Sequence, residues 1–186
     1  SNSLLLTKWR KKHLKKINSL KIAFICILLA SSSILVFTPE STAHTPPWEI
    51  PTYAFITVSP NPAGVGQQVA VVVWLDKMPD GTSVTNNIRF HNYKVEITAP
   101  DGLKDTLTWE TVYDTTSSAY NTYTPDQIGT YTFNFTFPGQ KYTDYTHNPN
   151  SAFVNDTYLP SSAVTTLTVQ EEPAGGPEIT PFPTEY

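Results

Sequence analysis

Between residues 130 and 137 the chain alternates without a break: Tyr131, Phe133, Phe135 and Phe137 fall on one side, and Thr132, Asn134 and Thr136 on the other. Successive side chains of a strand point to opposite faces, so this is a strand with one aromatic and one polar face. Such a ladder needs a second layer to cover it, because rings left in water forfeit ~25 cal/mol per Å² of transfer free energy. The chain is therefore expected to fold as packed sheets, with Phe133 in the core and Asn134 in solvent.

The text from residue 53 to 170 agrees with that demand. Thr, Tyr, Val and Phe dominate, and Pro-Asn or Asp-Gly punctuation recurs at short spacing. Strands are expected at 53–58, at the nearly all-apolar 68–75, at 93–99, at 106–112, at a short edge strand over 119–123, at 130–137 and at 163–169. Ser59-Pro60-Asn61-Pro62 and Pro100-Asp101-Gly102 supply turns. No stretch in this region sustains a helical period of 3.6 residues. In Pro125-Asp126-Gln127-Ile128-Gly129-Thr130-Tyr131 a Gly stands two residues before a Tyr at the start of a late strand. That is the pattern of the tyrosine corner of immunoglobulin-like sandwiches, whose hydroxyl bonds back to the chain upstream. The expected fold is all-β: an immunoglobulin-like antiparallel β-sandwich of about seven strands, spanning residues 49–170.

Residues 1–43 read differently. They hold seven of the twelve Lys and Arg, and one acid, Glu40. A basic stretch leads into apolar residues 22–30; Ser31-Ser32-Ser33 interrupts, and residues 34–37 resume the run. Ser41 and Ala43 put small side chains at the −3 and −1 positions of a cut before His44. Basic, apolar and small-residue regions in this order make a helical secretory signal. The alternative is an uncleaved membrane anchor, although residues 22–37 fall short of the ~20 needed to span the hydrocarbon core. Either way the rest of the chain is expected outside the cell or at its surface. Cys26 is the sole cysteine and lies within the apolar run, so no disulfide forms within the chain and no cysteine metal site exists. A domain of this size buries enough apolar surface without staples.

Residues 44–186 hold five bases against fifteen acids, a net of −10. That argues against nucleic acid as a partner, since its phosphates need a basic face. Residues 171–186, from Glu171-Glu172-Pro173 to Pro183-Thr184-Glu185-Tyr186, form a Pro-rich, semi-stiff linker that points to a further domain downstream.

Ala43-His44-Thr45-Pro46-Pro47-Trp48, Ile50-Pro51-Thr52-Tyr53 and Val58-Ser59-Pro60-Asn61-Pro62, followed by Gly64-Val65-Gly66-Gln67, resemble the N-terminal Ig-like module of large secreted archaeal proteins. The closing Pro183-Thr184-Glu185-Tyr186 resembles the join to a PQQ-type β-propeller in that family. The resemblance covers about residues 43–186 and implies a module without catalytic residues of its own.

Four features are candidates for chemistry. Asn134-Phe135-Thr136 and Asn155-Asp156-Thr157 are glycosylation sequons. The long connection 138–160 carries Tyr142, Tyr145, His147, Phe153 and Tyr158; these rings either present themselves to a protein or glycan partner or pack down as a lid. His44, as a new N-terminus, would offer an α-amine and an imidazole to a copper ion if His91 or His147 lay close; otherwise the cut merely falls before a histidine. The carboxylates are scattered near turns, and no paired-acid, Ser-His-Asp or phosphate-loop arrangement occurs. The sequence thus favours a non-catalytic extracellular module, binding a protein or glycan or acting as a spacer at the cell surface, with no cofactor. A membrane is a partner if the N-terminal segment is retained. The alternatives are a copper-dependent redox module using His44 and a carbohydrate-binding module using the loop aromatics.

Overall fold

The structure, a computed structural model, describes residues 43–143, 146–148 and 150–176. The chain divides into two compact units, Ser1–Glu40 and Ser41–Tyr186. The first, with the signal or anchor read from its sequence, lies outside the described residues, as do residues 177–186 of the linker.

The described residues are all-β. Their strands are β1 (Glu49–Ile50), β2 (Ala54–Ser59), β3 (Ala63–Gly64), β4 (Val69–Leu75), β5 (His91–Thr98), β6 (Lys104–Thr111), β7 (Ser118–Tyr123), β8 (Gly129–Phe137), β9 (Gln140–Lys141), β10 (Thr157–Tyr158) and β11 (Ser161–Gln170). The seven longer ones lie where alternation pointed. The two-residue strands were not foreseen, because two residues are too short to show a period. Three sheets form: β3-β11-β8-β5-β6, β2-β4-β7 and a small β1-β10-β9.

β8 runs through the middle of the five-stranded sheet, antiparallel to β11 and to β5, with Phe135 opposite Ala163 on one side and Val95 on the other. Tyr131, Phe133, Phe135 and Phe137 are completely buried, while Asn134 faces solvent. The rings meet Tyr93, Val95 and Ile97 of β5 and Val69, Val71 and Val73 of β4 in one core to which both large sheets contribute. The aromatic contacts there are edge-on or tilted: Tyr93 and Phe135 at 5.0 Å, Tyr123 and Phe133 at 5.7 Å. These are the arrangements that the ring quadrupole favours. Burial also drives the Tyr93 hydroxyl strongly upward in pKa, since its charged form has nowhere to go.

The corner expected at Tyr131 forms. Its hydroxyl accepts from the amides of Asp126 (3.2 Å) and Gln127 (2.9 Å) and donates to Asp126 Oδ1 (2.9 Å). Gly129 is needed beside it: its φ is +136°, and a Cβ there would lie 2.8 Å from Pro100 Cγ.

Two side chains tie the large sheets at their edges. After β2 the chain crosses to the five-stranded sheet through Pro60-Asn61-Pro62, and β3 then runs parallel to the end of β11. Asn61 bridges this crossing, with Nδ2 donating to the Thr166 carbonyl (2.8 Å) and Oδ1 accepting from the Thr168 amide (3.1 Å). At the other edge, Trp109 Nε1 on β6 donates to the Tyr120 carbonyl on β7 (3.2 Å). These three bonds occupy strand-edge backbone groups that would otherwise template pairing with another chain.

Candidate functional site

The connection after β8 turns Tyr142 and Tyr158 inward. Tyr142 and Tyr158 are each 3% exposed. The Tyr142 hydroxyl donates to the Asp80 carbonyl (2.9 Å), and the Tyr158 hydroxyl accepts from the Asp80 amide (3.1 Å). The Asp80 carboxylate takes Asn148 Nδ2 (2.8 Å) and Ser151 Oγ (2.5 Å). Tyr158 also stands edge-on to Phe90 at 5.0 Å. One residue in the loop after β4 thus fastens the connection down. Of the two readings of these aromatics, the lid describes Tyr142 and Tyr158, because both hydroxyls find backbone partners inside. Phe153 is half-buried, and Tyr145 lies outside the described residues.

Phe153 packs against the strap that precedes β1. His44 stacks on Trp48 (centroids 3.5 Å, planes within 5°) and meets Phe153 edge-on at 5.4 Å. Its Nδ1 lies 2.6 Å from Asp156 Oδ2, and its backbone nitrogen donates to the Ala152 carbonyl (3.0 Å). Asp156 is completely buried and accepts the Trp48 amide through Oδ1 (2.7 Å). The carboxylate therefore acts as an anchor for residues 44–48.

The copper reading of His44 belongs to a chain cut before that residue, whereas here Ala43 precedes it. A copper site built on that residue needs its nitrogen and its imidazole turned to one ion, and here both are engaged with the protein. His91 Nδ1 is also engaged, at 3.0 Å from the Glu110 carbonyl and 3.2 Å from Thr111 Oγ1. Among the described residues no three His, Cys, Asp or Glu side chains come together as a metal site.

The two sequons differ. Asn134 is exposed on β8, flanked in register by Glu96 and Val164. Asn155 is half-buried with φ +76°, and its amide donates to the Tyr142 carbonyl (3.0 Å). The middle residue of that sequon is the buried Asp156 itself.

Exposed aromatics occur elsewhere, on the outer face of β2-β4-β7. Phe55 and Trp74 are cross-strand partners, with centroids 5.3 Å apart and planes within 9°. Phe55 is 42% exposed and Tyr120 61%; Trp74 is half-buried. Val72, paired with Tyr120 and with Thr57, lies between the rings. Thr57, Ser59, Ala70, Ser118 and Thr122 complete the outward positions, so no ionisable acid or base stands on this face. The charges at its rim, Asp76 and Lys77, bond to one another at 2.9 Å. Sequence reasoning missed this strip. The nearly all-apolar run 68–75 shows no polar phase, so the sequence alone does not mark which side chains of β4 face outward, although the strand alternates between buried and half-buried positions. The signal was present in the shared outward phase of Phe55 and Trp74, but using it required the register between β2 and β4.

Compared with family models, with curated proteins and with solved structures, the chain matches none.

Proposed function

We propose that this chain is a non-catalytic, extracellular module with an immunoglobulin-like sandwich fold, serving as a spacer at the cell surface. The sandwich reading is supported by the strand order β2-β4-β7 beside β3-β11-β8-β5-β6 and by the Tyr131 corner. The export reading rests on the basic, apolar and small-residue order of residues 1–43.

The observation that carries the spacer role is where the chain meets its two ends. Residues 44–50 are pinned beside Asp156 and β10, just before β11 begins. The outgoing chain leaves after β11 finishes, where Gln67 bonds the Ala174 amide through Oε1 (2.8 Å) and a Cβ on Gly64 would lie 2.5 Å from Pro173 Cα. β11 spans ten residues, so the two attachment points stand about 30 Å apart at opposite poles. A module that receives the chain at one pole and releases it at the other lengthens whatever it joins.

The test is membrane-impermeant maleimide labelling of intact cells producing the full chain with Asn134→Cys. Asn134 is exposed, while Cys26 lies in the apolar N-terminal run. Labelling of the variant but not of the parent is expected on intact cells. Labelling only after lysis would refute an extracellular location.

A further inference from the structure

We propose that the outer face of the β2-β4-β7 sheet is a binding platform for a neutral polysaccharide. The proposal rests on the extracellular reading above and adds a ligand class to it. Phe55, Trp74 and Tyr120 each come from a different strand of the sheet. Strands lie about 4.8 Å apart, so the strip crosses about 10 Å of surface, enough for a pair of linked sugar rings. The offset stack of Phe55 on Trp74 leaves part of each ring open, and Tyr120 adds a ring with a polar tip.

Charge decides the class of occupant. Residues 44–186 carry a net −10, so a polyanion is repelled from the domain as a whole. A basic protein would seek carboxylates, and the outward positions of these strands have none. A second copy of the chain brings the same net charge with it. A neutral polysaccharide suffers none of these penalties. The C–H faces of its sugars pack on aromatic rings, and its hydroxyls find partners in Thr57, Ser118, Thr122 and the Tyr120 hydroxyl. Rings fixed on paired strands also lose little side-chain entropy on binding, because their two side-chain torsions are already restrained.

The face is available to such a ligand for a structural reason. At the sheet edge Trp109 Nε1 occupies the Tyr120 carbonyl, which takes one acceptor from an incoming strand and leaves the outward side chains of the sheet uncovered. Thr and Ser between the rings supply hydroxyls without charge, which keeps the interaction insensitive to salt.

The experiment is affinity electrophoresis of the full chain, in a zwitterionic detergent without a sugar headgroup, through gels containing a neutral β-glucan, xylan or galactomannan, with pectate as the anionic comparison. Retardation by at least one neutral polymer is expected, unchanged by added salt, with affinity falling at least tenfold in Trp74→Ala and Phe55→Ala. Trp74→Phe should retain most of it. Leu103→Ala, exposed on the turn between β5 and β6 of the other large sheet, should retain all of it. Circular dichroism melts identify any variant that fails to fold, and Trp74→Phe then carries the comparison. Retardation by none of the neutral polymers, retardation by pectate alone, or equal binding by Trp74→Ala would overturn the platform. So would a dimer in sedimentation that Trp74→Ala abolishes, since the face would then be a self-association surface. A chain labelled on intact cells that binds no sugar loses only the platform; a chain labelled only after lysis loses the extracellular reading, whatever the gels show.

Discussion

Replacing Phe133 by Ala tests the core most sharply, because its neighbour in sequence serves as the control. Phe133 is completely buried, opposite Ile97 on β5 and Thr165 on β11, with the Tyr123 ring edge-on at 5.7 Å. A buried aromatic side chain removes about 150–250 Å² from water, worth about 4–6 kcal/mol at ~25 cal/mol per Å². Ala recovers a fraction of that area, and partial collapse of the site recovers more. The expected cost is about 3–5 kcal/mol, the range measured when aromatic sites are emptied. Set against a total stability of about 5–15 kcal/mol, that is a large share. Asn134→Ala in unglycosylated protein should shift stability by less than about 0.5 kcal/mol, since the side chain is in solvent. Urea unfolding of both variants measures this: the midpoint should fall for Phe133→Ala with an unchanged slope. A mild Phe133→Ala with a costly Asn134→Ala would refute the register, because a slip by one residue exchanges the two faces.

Three further outcomes follow from the bonds described. Tyr131→Phe leaves the Asp126 and Gln127 amides without their shared acceptor and should cost about 1–3 kcal/mol in the same unfolding assay. Asp156→Ala removes the acceptor of the Trp48 amide, so hydrogen exchange at Trp48 and Thr157 should accelerate well before global unfolding, while Phe133 stays protected. Burial pushes the Tyr158 hydroxyl up to about 12 from its ordinary 10. The folded state therefore holds that proton more tightly than the unfolded state. Its contribution is complete below pH ~10 and is lost as pH rises from there towards 12, so stability should fall over that window, less steeply in Tyr158→Phe.

Much of the architecture was legible because it is local. The alternation of β8 fixes which residues face the core, and Gly129 two residues before Tyr131 marks the corner. What escaped depends on partners distant in sequence. The sequence leaves Tyr142 and Tyr158 open between presented rings and a lid, and Asp80, more than sixty residues before Tyr142, is what buries their hydroxyls. Nothing local to His44 shows that Asp156, beyond a hundred residues of intervening chain, meets its imidazole. Phe55 and Trp74 become a surface only when β2 pairs with β4 in one particular register. Alternation reports faces, whereas sites are built from pairings.

The central claim is that the module takes the chain in at one pole and lets it out at the other. The most direct measurement is the distance between spin labels at Thr45→Cys and Gly175→Cys in the full chain carrying Cys26→Ala, by pulsed electron resonance. Both positions are exposed and lie on either side of the strands that separate the poles. A single narrow distribution centred at about 30 Å or beyond is expected, from ten residues of β11 at ~3.3 Å each. A population centred well below 20 Å would contradict the spacer, because the two ends would then leave from the same side of the module.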